Sequence, residues 1–433
     1  MKKLFASIGL AAAGAASLHA AYTPVATGGG NTRDWSVSAT LRGFYDDNIN
    51  TASSGSTNKQ DSIGFEITPS VQITVPLQQT ELGLRYVYGL YYFQKRADLG
   101  QNPIDQSHQL DLWVDHAFTE RWRAKVEDTF AAGQEPELID PATSVRSRTE
   151  GNNFSNVGTI TLSTDWTRLF STELGYQNRF FDYQQHGGND AAPAYADPSL
   201  SGLLDRIENS GWLDLQWHLS LETMIFTGYR FTQVNYTGNE IVAPNSVDPA
   251  KPFKSEARDN RSHYGYIGAQ HSFLPNLSGS ARVGLQYTDD YKDPNHTTSL
   301  GPYVDISSTY TYLPGSYVQA GFTHSRNATD VIAPSSSGHI TQDQASSTAY
   351  ASINHKLTPR LLASGIARVQ YSEFTGGITS KPDVFYTAGL NLSYTISTHF
   401  SADIGYNFDY LQSGIAGRDY KRNRVYLGIT ATY

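Results

Sequence analysis

Cysteine is absent from the 433 residues, which excludes a disulfide scaffold, a Cys-ligated zinc site and a thiol nucleophile. Charge is scarce: Asp, Glu, Lys and Arg make up 17% of the chain, against roughly 25% in a soluble domain. After the first twenty residues no stretch reaches eighteen apolar residues, so no membrane-crossing helix is expected. Basic residues are outnumbered 32 to 41, a balance that argues against nucleic acid as a partner. In place of these stand 28 Tyr, 19 Phe and 37 Gly. Tyr-rich, Gly-rich and poor in charge is the composition of a membrane β-barrel.

Residues 1–20 read as a secretory signal. Lys2 and Lys3 form a basic start, Leu4 to Ala16 an apolar run, and Ser17-Leu18-His19-Ala20 a small-residue cleavage point. The run is too short to span a bilayer as a helix. Cleavage removes two lysines and no acidic residue, leaving 21–433 as one barrel domain.

From there the dominant period is two. Ile63, Phe65, Ile67, Pro69, Val71, Ile73 and Val75 alternate with Gly64, Glu66, Thr68, Ser70, Gln72 and Thr74. Phe400, Ala402, Ile404, Tyr406, Phe408 and Tyr410 do the same near the other end. Successive side chains of a strand point to opposite faces, so each stretch has one apolar face and one polar, Gly-rich face. The pattern places strands near 33–45, 62–75, 81–93, 107–118, 122–131, 155–166, 170–182, 206–217, 221–234, 262–272, 277–288, 302–312, 316–325, 345–356, 361–372, 383–395, 400–410 and 422–433. They are longer than the 5–6 residues common in soluble sheets, and as long as a tilted strand needs to cross hydrocarbon.

The connections alternate as well. Pro76–Gln79, Thr119–Arg121, Thr167–Leu169, His218–Ser220, Phe273–Asn276, Leu313–Gly315, Leu357–Arg360 and Ser397–His399 are short. Asp46–Asp61, Gly133–Asn153, Gln184–Asp205, Thr237–Arg261 and Asn327–Gln344 are long and rich in Gly, Ser, Asn, Asp and Pro. Short periplasmic turns and longer external loops belong to outer-membrane barrels. The fold expected is an all-β, transmembrane, antiparallel up-and-down barrel of about eighteen strands. Sixteen is the alternative, because 107–131 and 316–356 have blurred periodicity.

Aromatic residues near strand ends suggest interfacial girdles: Trp35, Phe44, Tyr45, Tyr91, Tyr92, Phe93, Trp122, Trp166, Phe170, Tyr310 and Tyr312. Pro69 inside a strand removes a ladder hydrogen bond, so a bulge or a kink near one rim is expected there. The chain ends on apolar residues at every second position, Val425, Leu427, Ile429 and Tyr433. That ending resembles the C-terminal signal by which outer-membrane proteins are recognised for insertion.

The polar face carries the candidate functional residues. Assigned to a water-filled interior, it lines a pore with Arg42, Glu66, Arg85, Asp111, Asp115, Arg123, Glu173, Arg179, Arg230, Arg282, Asp403 and Arg424. Both signs occur on neighbouring strands, so they either pair for structure or form a field at a constriction that orders permeating solutes. No G-x-S-x-G, H-E-x-x-H or P-loop is present, and the histidines are scattered. His108 near Asp111 and Asp115 falls on the opposite strand face from both. No catalytic residue, cofactor or metal site is expected. Asp289, Asp290, Asp293 and Asn295 offer oxygen ligands but lack the Gly and closing Glu of a calcium loop, so they read as solvated charge.

The stretches Trp35–Asn48 and Gly64–Val71, the turn Phe273-Leu274-Pro275-Asn276-Leu277 and the ending Arg422–Tyr433 resemble the putative β-barrel porin 2 family. The resemblance spans the mature chain. It implies a porin-like protein of a Gram-negative outer membrane and brings no catalytic residues. The expected function is passive diffusion of small hydrophilic solutes. The alternative is a non-conducting barrel in surface interaction, assembly or polysaccharide export, which a lumen-filling loop would favour; Gly133–Asn153 and Thr237–Arg261 are long enough. Expected partners are outer-membrane lipid and lipopolysaccharide, the barrel assembly machinery and the solutes, with an oligomer open.

Overall fold

The computed structural model describes residues 34–140, 142, 153–185, 199–377 and 381–433, and the signal segment lies outside them. The first strands are β1 (Trp35–Asp46), β2 (Ser62–Pro76), β3 (Thr80–Phe93), β4 (Ile104–Ala117), β5 (Trp122–Gly133) and β6 (Asn153–Asp165). There follow β7 (Phe170–Asp182), β8 (Arg206–His218) and β9 (Thr223–Tyr236), then a small ribbon of β10 (Ile241–Ala243) and β11 (Phe253–Lys254). The second half contributes β12 (Asn260–Leu274), β13 (Leu277–Asp289), β14 (Thr298–Leu313), β15 (Ser316–Asn327) and β16 (Thr341–Thr358). The last four are β17 (Leu361–Gly376), β18 (Asp383–Thr395), β19 (Phe400–Ser413) and β20 (Tyr420–Thr432).

All but the ribbon form one eighteen-stranded antiparallel sheet in which each strand pairs with its sequence neighbours. β1 pairs with β2 on one side and with β20 on the other, so the sheet closes into a barrel without a free edge. The count is eighteen, not sixteen: the two blurred stretches resolve as the pairs β4–β5 and β15–β16. No helix among the described residues is long and apolar enough to cross a membrane.

The alternation sorts the wall. Leu41, Leu427 and Ile429 stand outward, 56%, 64% and 54% exposed, and comparable aliphatic side chains ring the barrel. A continuous apolar belt of that size is stable only where the surrounding solvent is hydrocarbon. Inward glycines make room for aromatic rings from the next strand. A Cβ at Gly405 would lie 2.2 Å from the Tyr426 ring, and one at Gly83 would lie 1.8 Å from Trp113.

Three expectations need correction. Pro69 sits mid-strand, paired with Ala39, and produces no bulge: the β2–β3 register is the same at Ile67–Leu90 and Ser70–Val87, with the ladder open between them. The wall tolerates the missing donor by forgoing two pairs. Phe44, Tyr91 and Phe93 are not girdle residues. They face inward and pack with Ile49 and Tyr426, because strand parity, which puts them on the Arg42 and Arg85 side, overrides proximity to a strand end. Asp290 and Asp293 are not solvated either; each is 2% exposed, because their loop folds back on itself, as in the bonds from Asp290 N to Thr297 O and from Asp293 N to Asp290 O.

At the long-loop end the connections build a second apolar core. Ile139, Leu203, Leu204, Val242, Phe253 and Ile340 come together there from four different loops. Arg258 is wholly buried among them and donates to the carbonyls of Leu203, Thr329 and Gln342 at 2.8, 2.8 and 3.1 Å. One guanidinium thus satisfies three backbone carbonyls, from the Leu200–Leu204 helix, the loop before β16 and the start of β16 itself.

Candidate functional site

All twelve candidate residues fall on the inward register set. Arg42 lies opposite Glu66, Arg85 opposite Asp111, Asp115 opposite Lys125, Glu173 opposite Asp214 and Arg282 opposite Asp305. Most are paired. Arg123 binds both oxygens of Asp115. Arg179 lies 3.7 Å from Glu208, Arg282 3.6 Å from Asp214 and Arg85 4.0 Å from Asp111. Glu173 accepts a bond from Trp212 Nε1 at 3.2 Å, and Arg230 stacks over the Trp212 ring at 5.2 Å. Pairing for structure therefore describes much of the wall, which keeps these charges cheap inside the barrel.

Arg42 departs most from its sequence reading as a group met by permeating ions. It is 5% exposed, held by Asp403 at 2.9 Å and Glu66 at 3.7 Å, with the Tyr426 ring 4.8 Å away. Parity carries Arg42 inward, and the ion pair then folds it down along the wall.

The connection after β5 is the part that sequence periodicity misses. Leaving β5 at Gly133, it forms a short helix, Pro136–Ile139, and is pinned to three other regions of the wall. Asp140 accepts from Arg206 Nη2 of β8 at 2.6 Å; the two side chains are 4% and 3% exposed. Glu135 meets Arg422 at 3.2 Å and Arg424 at 3.8 Å on β20, and both arginines share the fully buried Asp46 of β1. The Ala142 carbonyl accepts from Gln370 of β17 at 3.3 Å. Because β17 stands on the far side of the sheet order from β5, the segment crosses the lumen from wall to wall. Its length and the inward parity of Asp46, Arg422 and Arg424 were the available signals.

Beneath Leu138 of this segment lies a recess that opens to solvent. Its walls carry Arg42, Arg85, Arg424 and Glu66, the amides of Gln109 and Asn407, and the rings of Phe44, Tyr91 and Tyr426. Most of these groups are themselves buried, Arg42, Arg424 and the three rings among them, so the recess meets water through the remaining side chains. No group of three or more metal-ligating side chains comes together among the described residues. His108 points outward, its Nδ1 2.8 Å from the Tyr86 hydroxyl, away from Asp111 and Asp115.

The solved structures found similar to the chain share little sequence with it. Acinetobacter baumannii OccAB4 is 11% identical, with 92% of this chain and 98% of that one covered and a TM-score of 0.44. Pseudomonas aeruginosa OpdK, solved with vanillate, is 9% identical over 92% and 99% with a TM-score of 0.44. A single-residue mutant of the ferric enterobactin receptor PfeA, from the same organism, is 8% identical over 92% and 80%, with a TM-score of 0.43. No curated protein matches the chain by sequence. The family described as Putative beta-barrel porin 2 matches residues 35–433, the whole of the barrel from its first strand to the end of the chain, and the chain belongs to that family of porins.

Proposed function

We propose that the chain is an outer-membrane channel for passive diffusion of small hydrophilic solutes, narrowed by the inward segment after β5. The observation that supports this reading most is the recess beneath Leu138, open to water and reached from the wall by Arg85, Arg424, Glu66 and Gln109 among aromatic rings. A lumen that served only as a packed core would close such a space with apolar side chains. On this reading residues 1–20 are cleaved after export, and Val425, Leu427, Ile429 and Tyr433 are read by the assembly machinery before the barrel enters a membrane containing lipopolysaccharide.

A second reading has one observation in its favour. The apolar loop core around Leu203, Val242 and Ile340 caps the long-loop end, as suits a non-conducting barrel that meets a surface partner or serves assembly or polysaccharide export. Single-channel recording of the purified protein in planar bilayers separates the two. Discrete current steps support the channel; well-folded protein without current leaves the surface role.

A further inference from the structure

Asp128 sits on the outward face of β5, between Val126 and Phe130. Outward Trp122 marks the short-turn rim of this strand, where it packs edge-on against Trp166. Six residues up a tilted strand places Asp128 roughly 15 Å above that rim, inside an apolar band about 25 Å tall. At the same height other strands present Leu41, Val283 and Phe322. The remaining outward charges, such as Asp182, Arg261, Arg326 and Glu373, stand near the long-loop ends of their strands.

The carboxylate is not isolated. Asn156 Nδ2 donates to its two oxygens at 3.0 and 3.2 Å. The ladder then continues the polar row: Asp128 faces Gly158, Gly158 faces Asn178, and Asn178 faces Asn209. Asn178 Nδ2 and the Tyr176 hydroxyl both donate to Asn209 Oδ1, at 2.9 and 2.7 Å. The two oxygens of a carboxyl offer about four lone-pair sites, and here one amide serves them. Lipid tails supply no donor.

We propose that the outward face of β5 to β8 is an interface between two copies of this chain in the membrane. The row holds an acceptor at Asp128 and, at Asn178, an amide with a second hydrogen beyond the one given to Asn209, so a twofold axis brings each carboxyl toward the partner's amide. Self-complementarity of one patch is what an isologous contact requires. The bare Gly158 lets the Asp128 carboxyl lie flat over the sheet, 3.2 Å from where a Cβ would stand. The inference depends on the barrel lying in a membrane and not on whether its lumen conducts.

The absence of cysteine makes the test direct. Single cysteines replace outward residues beside the row, Ile160→Cys and Leu174→Cys, and as a control on β20 Leu427→Cys; all three positions are more than half exposed. Oxidation of intact outer membranes should link Ile160→Cys or Leu174→Cys into a species of twice the chain mass, well above the control. Adding Asp128→Leu should cut that yield about tenfold, since a hydrogen bond in a membrane is worth about 1–2 kcal/mol. Heat-modifiable migration verifies folding; should the leucine variant fail it, Asp128→Ala is used. Cross-linking no greater than at Leu427→Cys, a product with another mass, or a yield indifferent to Asp128 in a folded variant would overturn the interface.

Discussion

Arg42 of β1 and Asp403 of β19 stand 361 residues apart in sequence and 2.9 Å apart in space. Between them lies Gly428 of β20, opposite both. A Cβ on Gly428 would come within 2.4 Å of Arg42 Cγ, so the arginine passes over the bare glycine to reach its carboxylate. The pair joins the first strand to the penultimate one across the last. It is a side-chain clasp on the seam where the barrel closes.

Breaking the clasp should therefore affect folding before it affects conduction. Removing one partner of a buried ion pair leaves the other uncompensated and costs about 3–5 kcal/mol. Arg42→Ala and Asp403→Ala should each lower stability toward the bottom of that range, since the lumen is partly wet, and the double variant should cost less than their sum. Urea unfolding in detergent measures this. Full additivity would mean that the two groups act independently.

The inward segment gives a second prediction. Asp140 with Arg206, and Glu135 with Arg422 and Arg424, pin it across the lumen. Asp140→Ala combined with Glu135→Ala should free it and raise single-channel conductance, with strand content by circular dichroism unchanged. Asp140→Ala alone strands the buried Arg206 beside Glu208, 2.7 Å away, so part of its charge stays compensated. An unchanged conductance in the double variant would mean that the segment does not set the narrowest point.

Much of this architecture could be read from the sequence, for identifiable reasons. Strands such as 383–395 coincide end to end with the observed β18, because apolar and polar residues alternate to both ends. β16 starts four residues before the expected 345, since Thr341–Gln344 rises above the lipid and is polar on both faces. Inward placement of all twelve charges followed from parity alone. Their partners did not: Arg42 finds Asp403 only through closure of the sheet, and Asp140 finds Arg206 through a loop with no periodicity. Phe44 shows the converse, where aromatic character suggested the lipid interface and parity had already assigned it inward.

The lipid face offers a third test. Leu41 points outward at mid-height, whereas Gln72 points inward and is exposed to the lumen. Leu41→Arg should cost about 2–4 kcal/mol near the midplane, and Gln72→Arg close to nothing. Thr68, also inward, offers no such neutral control, because it is 9% exposed and donates to Glu66 at 2.8 Å. Equal cost for Leu41→Arg and Gln72→Arg in a refolding titration would contradict the assignment of faces.

The last prediction concerns pH and the loop after β13. Burial pushes the Asp290 carboxyl up to about 8, and the neighbouring Asp343 and Asp293 push in the same direction against the opposing pull of Arg326. One oxygen, Oδ1, is buried without a hydrogen-bond partner, as suits a carboxyl that carries a proton. Unfolded, the group would titrate near 3.9. A folded pKa raised in this way contributes stability that is fully present below about pH 4 and is lost as pH rises through about 8. The closed loop, tied to its neighbour by Asn295 donating to the Gly338 carbonyl at 2.7 Å, should loosen over that interval. A spin label on Pro294→Cys should gain mobility between pH 5 and pH 9, with its midpoint near 8. Asp290→Asn should hold the label immobile throughout, because its neutral amide cannot ionise; a pH response that survives this substitution would assign the titration to another group.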